Sequence, residues 1–297
     1  MNISIRQIEV FFYTAKLGNV SLAAEKLCIT QAAASMALKE FENQLGEKLF
    51  ERMGKKLVLN ESGRAILASA TELIGRASEM SGFFTDRSRL YGDLIIGASS
   101  SIGNYVLPEY IAEFIDTNRM ASIQLKVGNT EDVINRVLRF DVDVGIIEGL
   151  CYEPMIDVIP WLDDELAVFT SSGHPLAQAE KVSKKDLESC DWILREEGSG
   201  TRRIFENQMT ALSMNINVML VLGHTEAIKN TVAKGKGVSC LSRYVLADLA
   251  QLGKIKLLDT PFLNLKRKFY VLIHQEKFKT RILREFLSGL GLGQTDI

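Results

Sequence analysis

Apolar positions at the start of the chain recur at helical intervals. Ile5, Ile8, Phe12 and Ala15 step by three and four, with Phe11 beside them, and mark one face of a helix that Gly18 ends. Ser21 is placed to cap a short second helix, Leu22 to Leu27, and Cys28 and Ile29 make a tight connection. Thr30 can cap a third helix from Gln31 to about Gln44. On that helix Ala34, Leu38, Phe41 and Leu45 face inward, whereas Gln31, Ala32, Ser35, Met36 and Lys39 share another face. So tight a turn between the second and third helices predicts a helix-turn-helix.

The pattern then narrows. Over 61–89 proline is absent, and Ile66, Ala70, Leu73, Ala77, Met80 and Phe84 alternate steps of four and three. This is the heptad seam of a helix that pairs with another helix. It predicts a linker of roughly 44 Å that dimerises through Ile66, Leu73, Ala77, Met80 and Phe84. From residue 91 strands and helices alternate. "GDLIIGAS", "SIQLKVG" (122–128) and "VDVGIIEG" (142–149) read as buried strands, the first followed by a helix from about Ile102. A second set comprises "ELAVFTS", "DWILRE", a helix after 201, "INVMLVLG", "TEAIKNTVAKG" and "VSCLS". "KFYVLIHQ" and "TRILREFLSGL" supply a last strand and a closing helix. Repeated strand-then-helix order predicts parallel sheets covered by helices.

The exposed face of the third helix suits DNA. Its small residues, Ala32 to Ser35, let a backbone approach base edges; Gln31 can read an adenine bidentately, and Ser35 can meet a base or a phosphate. Lys39 would meet the phosphate backbone. Residues 6–63 resemble the N-terminal domain of LysR-type transcriptional regulators. The resemblance rests on Ser21-Leu22-Ala23-Ala24 with Leu27, Thr30-Gln31, Ala34-Ser35 and Glu42, then Leu45-Gly46, Leu49-Phe50-Glu51-Arg52, Leu59 and Gly63. "LPEYIAEF" (107–114) and "HPLA" (174–177) extend it over nearly the whole chain.

The resemblance implies a winged helix-turn-helix over 1–60, all-α with a small wing, and a linker helix over 61–89. It implies an α/β effector domain over 90–297, of the periplasmic-binding-protein type. That domain would consist of two Rossmann-like subdomains, 90–162 with 267–297 and 163–266, with crossovers near Trp161 and Lys266. DNA contacts would come from Ser21, Thr30, Gln31, Ala32, Ser35 and Lys39, with Arg52 and Lys55 on or near the wing. Implied partners are double-stranded promoter DNA, a second copy in a homodimer that assembles to a homotetramer, and RNA polymerase. Cys28 and Met36 depart from the family's commonest residues, and Met36 leaves the bases read open.

Four strand-to-helix junctions carry hydroxyl, amide or glycine residues: Ser99-Ser100-Ser101, Asn129-Thr130, Gly198-Ser199-Gly200-Thr201-Arg202 and Gly223-His224-Thr225. Helix starts offer free N–H groups and a positive dipole end, so together they predict an anion site. Arg195 and Arg202 are the cations in reach by sequence. Glu148, at a strand end, would disfavour a fully ionised dianion or gate the site. The glycine stretch is no phosphate loop, because no lysine follows Gly200, and no dinucleotide motif, because Arg203 stands where a third glycine belongs. "SSSIGNYVLP", "VGNTEDV", "GIIEG", "WILREEGSGTR" and "GHTEAIK…GVSCLSR" resemble the branch of the family tied to sulfur metabolism. That resemblance implies a sulfur oxoanion, such as sulfite or sulfate, as effector. An amino acid or carboxylate metabolite, and thiol oxidation at Cys151 or Cys190, are the alternatives.

Composition adds exclusions. Residues 1–90 hold 12 Lys/Arg against 10 Asp/Glu and the remainder 23 against 27, which weakly favours a DNA-facing front. The four cysteines form no C-x-x-C pair, so no metal site or disulfide framework is expected. The three histidines, His174, His224 and His274, sit in no catalytic motif, so an enzyme is not expected. No cofactor is expected either. The absence of a signal-peptide core or an apolar run of ~18 residues predicts a cytoplasmic protein without a membrane partner.

Overall fold

Ser4 accepts from the Gln7 N–H while the Gln7 side chain accepts from the Ser4 N–H, and this reciprocal cap starts α1 (Ile5–Leu17). The computed structural model describes residues 3–54, 56–83, 90 and 92–293, so Lys55 and Phe84 lie outside the described residues. Gly18 ends α1 in the left-handed region, at φ +65°, where a side chain would be strained. The second helix, α2 (Val20–Lys26), begins earlier than its sequence suggests. Asn19, not Ser21, is the cap, because its Oδ1 accepts from both the Ser21 and Leu22 N–H groups. Ser21 therefore sits in the first turn. Thr30 caps α3 (Gln31–Leu45) as expected.

A two-stranded wing follows, β1 (Phe50–Met53) antiparallel to β2 (Lys56–Leu59). Glu42 fastens it to α3: one carboxylate oxygen accepts from the Leu49 N–H at 2.9 Å and the other from Lys48 Nζ at 2.8 Å. Val10, Phe11, Ala34, Leu38, Phe41 and Leu49 form the core, with Leu67 and Ala70 of α4 (Glu61–Phe83). Burying a side chain of Leu or Phe size contributes about 1.5–3 kcal/mol, so this small domain depends on each of them.

The heptad seam of α4 is divided. Ala70 is buried in the winged-helix core and Ile66 packs against it, whereas Leu73 is 53% and Met80 72% exposed. The first turns serve the chain's own core, and an apolar face emerges beyond them.

The effector region contains β3 (Gly92–Ser99), α5 (Ser100–Tyr105), α6 (Leu107–Thr117), β4 (Ala121–Gly128), α7 (Thr130–Leu138), β5 (Val144–Glu148) and β6 (Ile156–Ser171). Next come α8 (Lys184–Glu188), β7 (Asp191–Arg195), α9 (Gly200–Ala211), β8 (Asn217–Leu222), α10 (Thr225–Ala233) and β9 (Val238–Ser242). The last elements are α11 (Arg243–Gln251), β10 (Ile255–Leu257), β11 (Lys266–His274) and α12 (Arg281–Gly289). The strands run β4-β3-β5-β11-β6-β9-β7-β8, with β10 on β6. β3 is parallel to β4 and β5, and β7 is parallel to β8 and β9. The antiparallel pair β6 and β11 joins these two α/β subdomains.

Two local readings differ from the sequence. The helix expected from Ile102 is two helices broken at Val106, with Pro108 in the first turn of the second. The strand expected from Glu165 begins at Ile156; Pro160 and partly exposed Trp161 hide the alternation over the crossover.

The winged helix packs back on the effector region. Lys26 Nζ lies 3.5 Å from Asp93, Phe140 touches the winged-helix core, and the Arg76 guanidinium sits 5.0 Å from the Phe278 ring. Asp143 anchors this side, accepting from Lys277 Nζ and from the Ile95 N–H, each at 2.6 Å. Burial opposes its charge, but Lys277, Lys16 of α1 and the two hydrogen bonds outweigh burial and hold the carboxyl below its usual range.

Candidate functional site

The third helix presents Gln31, Ala32, Ser35, Met36 and Lys39 to solvent while Ala34, Leu38 and Phe41 face inward. Thr30 is exposed at the end of the turn before α3, Ser21 at the start of α2, and Arg52 on the wing strand. These side chains form one open surface with no large apolar anchor except Met36. The surface suits the groove and phosphates of a duplex.

The second site lies where the subdomains meet. Ser99 donates to one oxygen of the Glu148 carboxylate, and Thr201 Oγ1 donates to the other at 3.3 Å. Arg267 Nη1 donates to Thr201 Oγ1 at 2.9 Å and stands 3.9 Å from Glu148. Its Nε donates to Asp164 at 2.6 Å, and Ser242 donates to the other Asp164 oxygen at 2.8 Å. The network crosses β3, β5, β6, β9, α9 and β11. Arg267 Nη2, and Ser101 Oγ two residues after Ser99, are buried without a hydrogen-bond partner among the described residues. A buried donor left unpaired costs about 1–3 kcal/mol.

The other expected residues fall into two clusters. At the start of α7, Asn129 caps the helix and donates to the Glu197 carbonyl at 3.4 Å. Thr130 Oγ1 accepts from the Gly200 N–H at 3.0 Å, and the Glu131 N–H donates to the Gly198 carbonyl at 3.3 Å. Ser199 caps α9. Gly200 is required by contact, because a Cβ there would lie 2.3 Å from the Glu148 carbonyl oxygen. In the other cluster the buried Arg195 guanidinium donates to Thr225 Oγ1 at 3.2 Å and Ser100 Oγ at 3.4 Å. It thereby ties β7 to the starts of α10 and α5.

The cations differ from expectation in availability. Arg195 is already engaged with Glu196 through two hydrogen bonds of 2.7 and 2.8 Å. Arg202 bonds Glu206 and the Arg195 carbonyl. Among the described residues the cation with a free buried edge is Arg267, which sequence reasoning missed. Its signal was legible: Arg267 is in phase with Phe269, Val271 and Ile273, so a charge stands on the buried side of a strand. Asp164 likewise keeps phase with Leu166 and Val168 on β6.

The surroundings of Cys151 and Cys190 disfavour their thiolates. Burial raises the pKa of both Cys151 and Cys190, which keeps them protonated. No helix among the described residues is long and apolar enough to cross a membrane.

Comparison with known proteins identifies the two regions that carry these residues. Residues 5–64 match the bacterial regulatory helix-turn-helix protein, lysR family, and residues 87–291 match the LysR substrate binding domain. The chain is 41% identical over 287 residues to the HTH-type transcriptional regulator YeiE of Escherichia coli, covering 97% of each. It superposes on full-length OxyR from Pseudomonas aeruginosa with a TM-score of 0.77 at 20% identity, covering 100% of both chains. The regulatory domain of CcmR from Synechocystis, solved in complex with 2-PG, matches at 31% identity with a TM-score of 0.63. That match covers 67% of this chain and 95% of that one.

Proposed function

We start from the fact that the chain belongs to the LysR family of DNA-binding transcriptional regulators, which are not enzymes, and we propose that a small oxoanion in the Glu148–Arg267 cradle controls it. The observation that carries this reading is the buried, unpartnered Nη2 of Arg267, whose Nη1 bonds Thr201 and stands 3.9 Å from Glu148; Ser101 Oγ, two residues after Ser99, is likewise buried and unpartnered. An oxoanion can accept from both. Glu148 sets the protonation: a ligand that keeps one proton can donate to its carboxylate while accepting from Arg267. Hydrogen sulfite has that form near neutral pH, whereas sulfate does not, so sulfite is favoured over sulfate.

The ligand would favour one closure of the subdomains, because Arg267, which would hold it, also bonds Thr201 and Asp164 of the other subdomain. The readout is DNA binding through Gln31, Ser35 and Lys39 on paired copies. Leu73 and Met80 on α4 supply one face for a second copy. Val218, Met219, Leu220 and Val221, all 37–47% exposed on the edge strand β8, supply another, through which dimers would pair into a tetramer.

The test is thermal unfolding of the full chain with sulfite, sulfate, phosphate, carboxylates and amino acids. A bound ligand raises the midpoint by mass action. Sulfite should raise it, and Ser101→Ala should weaken that shift while leaving the unliganded midpoint nearly unchanged. A shift with an amino acid or carboxylate and none with sulfite would overturn the oxoanion reading.

A further inference from the structure

Phe140 sits where a helix ending of its kind takes glycine. After α7 the Phe140 N–H donates to the Val137 carbonyl at 3.1 Å and the Asp141 N–H to the Arg136 carbonyl at 2.9 Å. This paired closure puts its turning residue in the left-handed region. Phe140 is that residue, at φ +56°, a conformation that glycine adopts freely and a bulky side chain resists. The other non-glycine residues at positive φ among the described residues, Cys28 and Ser213, are small. Strain retained at such a position points to a role for the side chain.

The Phe140 ring has partners in both domains. In the effector region the His274 ring lies 4.3 Å away between centroids, and Lys277 Nζ stands 6.0 Å from the Phe140 centroid. His274 Nδ1 accepts from the Glu276 N–H at 3.1 Å, and Lys277 is held by Asp143, so both are fixed. In the other domain the ring packs on the winged-helix core. Lys16 of α1 meets the same region: burial lowers its pKa, and the nearby Asp143 carboxylate opposes that shift.

Three elements lead from this contact to the cradle. α7 begins at Thr130, whose Oγ1 accepts from the Gly200 N–H of the other subdomain, and it ends just before Phe140. β5 starts one residue after Asp143 and ends at Glu148. β11 carries Arg267 near one end and His274 at the other. These elements are packed without slack. A Cβ at Gly145 of β5 would lie 2.7 Å from Val137 and 3.0 Å from Val133 of α7, and 3.4 Å from Leu272 of β11. The nine residues of α7 make the block roughly 14 Å long.

We propose that Phe140 is the positioning residue through which this block carries the winged helix. A change of closure at the cradle then reorients α1 and, packed on it, the recognition helix α3. This role rests on closure of the subdomains being the signal, whatever ligand sets it. Coupling between distant sites requires a contact that both ends bias, and the Phe140 ring is placed to be that contact.

Hydrogen–deuterium exchange of the full chain, read by mass spectrometry, tests this with Phe140→Gly. Glycine suits the left-handed turn, so the amides of α7 should stay as protected as in the wild type. Those of Tyr13 to Leu17 on α1 should exchange at least about fivefold faster, because the winged helix loses its hold. Phe140→Tyr should restore them. Gly200→Ala forces the subdomains apart and so supplies the signal without a ligand. It should alter exchange at the starts of α7 and α9 and also at Tyr13 to Leu17. Combined with Phe140→Gly, it should alter nothing further at Tyr13 to Leu17 relative to Phe140→Gly alone. Unchanged exchange of α1 in Phe140→Gly, or a Gly200→Ala effect on α1 that persists without the ring, would overturn the proposal. Exchange at the starts of α7 and α9 reports closure itself, so failure of closure and failure of the Phe140 contact are read separately.

Discussion

Arg267 and Asp164 face each other at paired register positions on β11 and β6, and their side chains are 2% and 1% exposed. The pair joins the two crossover strands at the level of the cradle. Breaking a buried ion pair by removing one partner costs about 3–5 kcal/mol, because the remaining charge is stranded. Asp164→Ala is therefore expected to lower unfolding stability in urea by that amount. A loss below about 1 kcal/mol would show that water relieves Arg267 and that the pair is not closed as seen; the range again follows from the buried-pair estimate.

Gly200 gives a cleaner separation of stability from signalling. An added Cβ would meet the Glu148 carbonyl at 2.3 Å and Thr130 Oγ1 at 2.7 Å, so the subdomains must part there. Overpacking of this kind costs about 1–3 kcal/mol. Gly200→Ala should keep operator binding in a gel-shift assay, because α3 belongs to the separate winged-helix domain, and should lose its response to effector. A variant with wild-type response would show that α9 does not report closure.

Much of the fold was legible because its signals are local. Gly18, Thr30 and the apolar steps of α1 and α3 define those helices without help from distant residues. The seam of α4 was legible only in part: the same spacing serves Ala70, inside the winged-helix core, and Leu73, outside it. In the cradle, the helix-start hydroxyls could be read individually, but their partners could not. Arg195 and Arg202 stand beside these junctions in the sequence, but Glu196 and Glu206 engage them, and neither pairing follows from spacing alone. Arg267 and Asp164 stand far apart in the chain, and nothing short of strand pairing brings them together.

The recognition helix makes two distinguishable predictions. Gln31→Ala should lose about 1–3 kcal/mol of discrimination between operator and random DNA, if Gln31 reads a base edge. Lys39→Ala should weaken both equally and reduce the log–log salt slope by about 0.9, the release expected for one phosphate contact. Fluorescence anisotropy over a salt series separates the two. Equal loss on both DNAs for Gln31→Ala would move that residue to the phosphate backbone.

Asp143 makes the docking of winged helix on effector domain sensitive to acid. Its folded pKa is depressed, so the unfolded state takes up the proton first as pH falls. The stabilisation is complete above the unfolded value of about 3.9 and is lost as pH drops through the folded value. Asp143→Asn should be less stable than wild type at neutral pH, and the difference should shrink steadily below about pH 4, by the same linkage. A difference independent of pH between about 5 and 2 would mean that the Lys277 and Lys16 charges do not act on it in solution; that range brackets the same titration.

The last prediction concerns the apolar face that α4 leaves open. Leu73 and Met80 are 53% and 72% exposed on a helix whose earlier turns are buried. In a twofold pair each residue occurs twice, and Leu73 is already about half covered, so covering the rest contributes roughly 1.5–3 kcal/mol per dimer, about half of 1.5–3 kcal/mol for each of two side chains. A glutamate there loses that burial and sets like charges against each other. Leu73→Glu should therefore raise the dimer dissociation constant at least about tenfold, since ~1.4 kcal/mol is a factor of ten. Sedimentation equilibrium reads this directly. The monomer should retain its helical circular dichroism, because the winged-helix core relies on Leu67 and Ala70 instead. It should also lose binding to a two-half-site operator while keeping weak binding to a single half-site. If Leu73→Glu stays dimeric but Val218→Glu on β8 does not, the edge strand rather than the linker helix holds the primary pair.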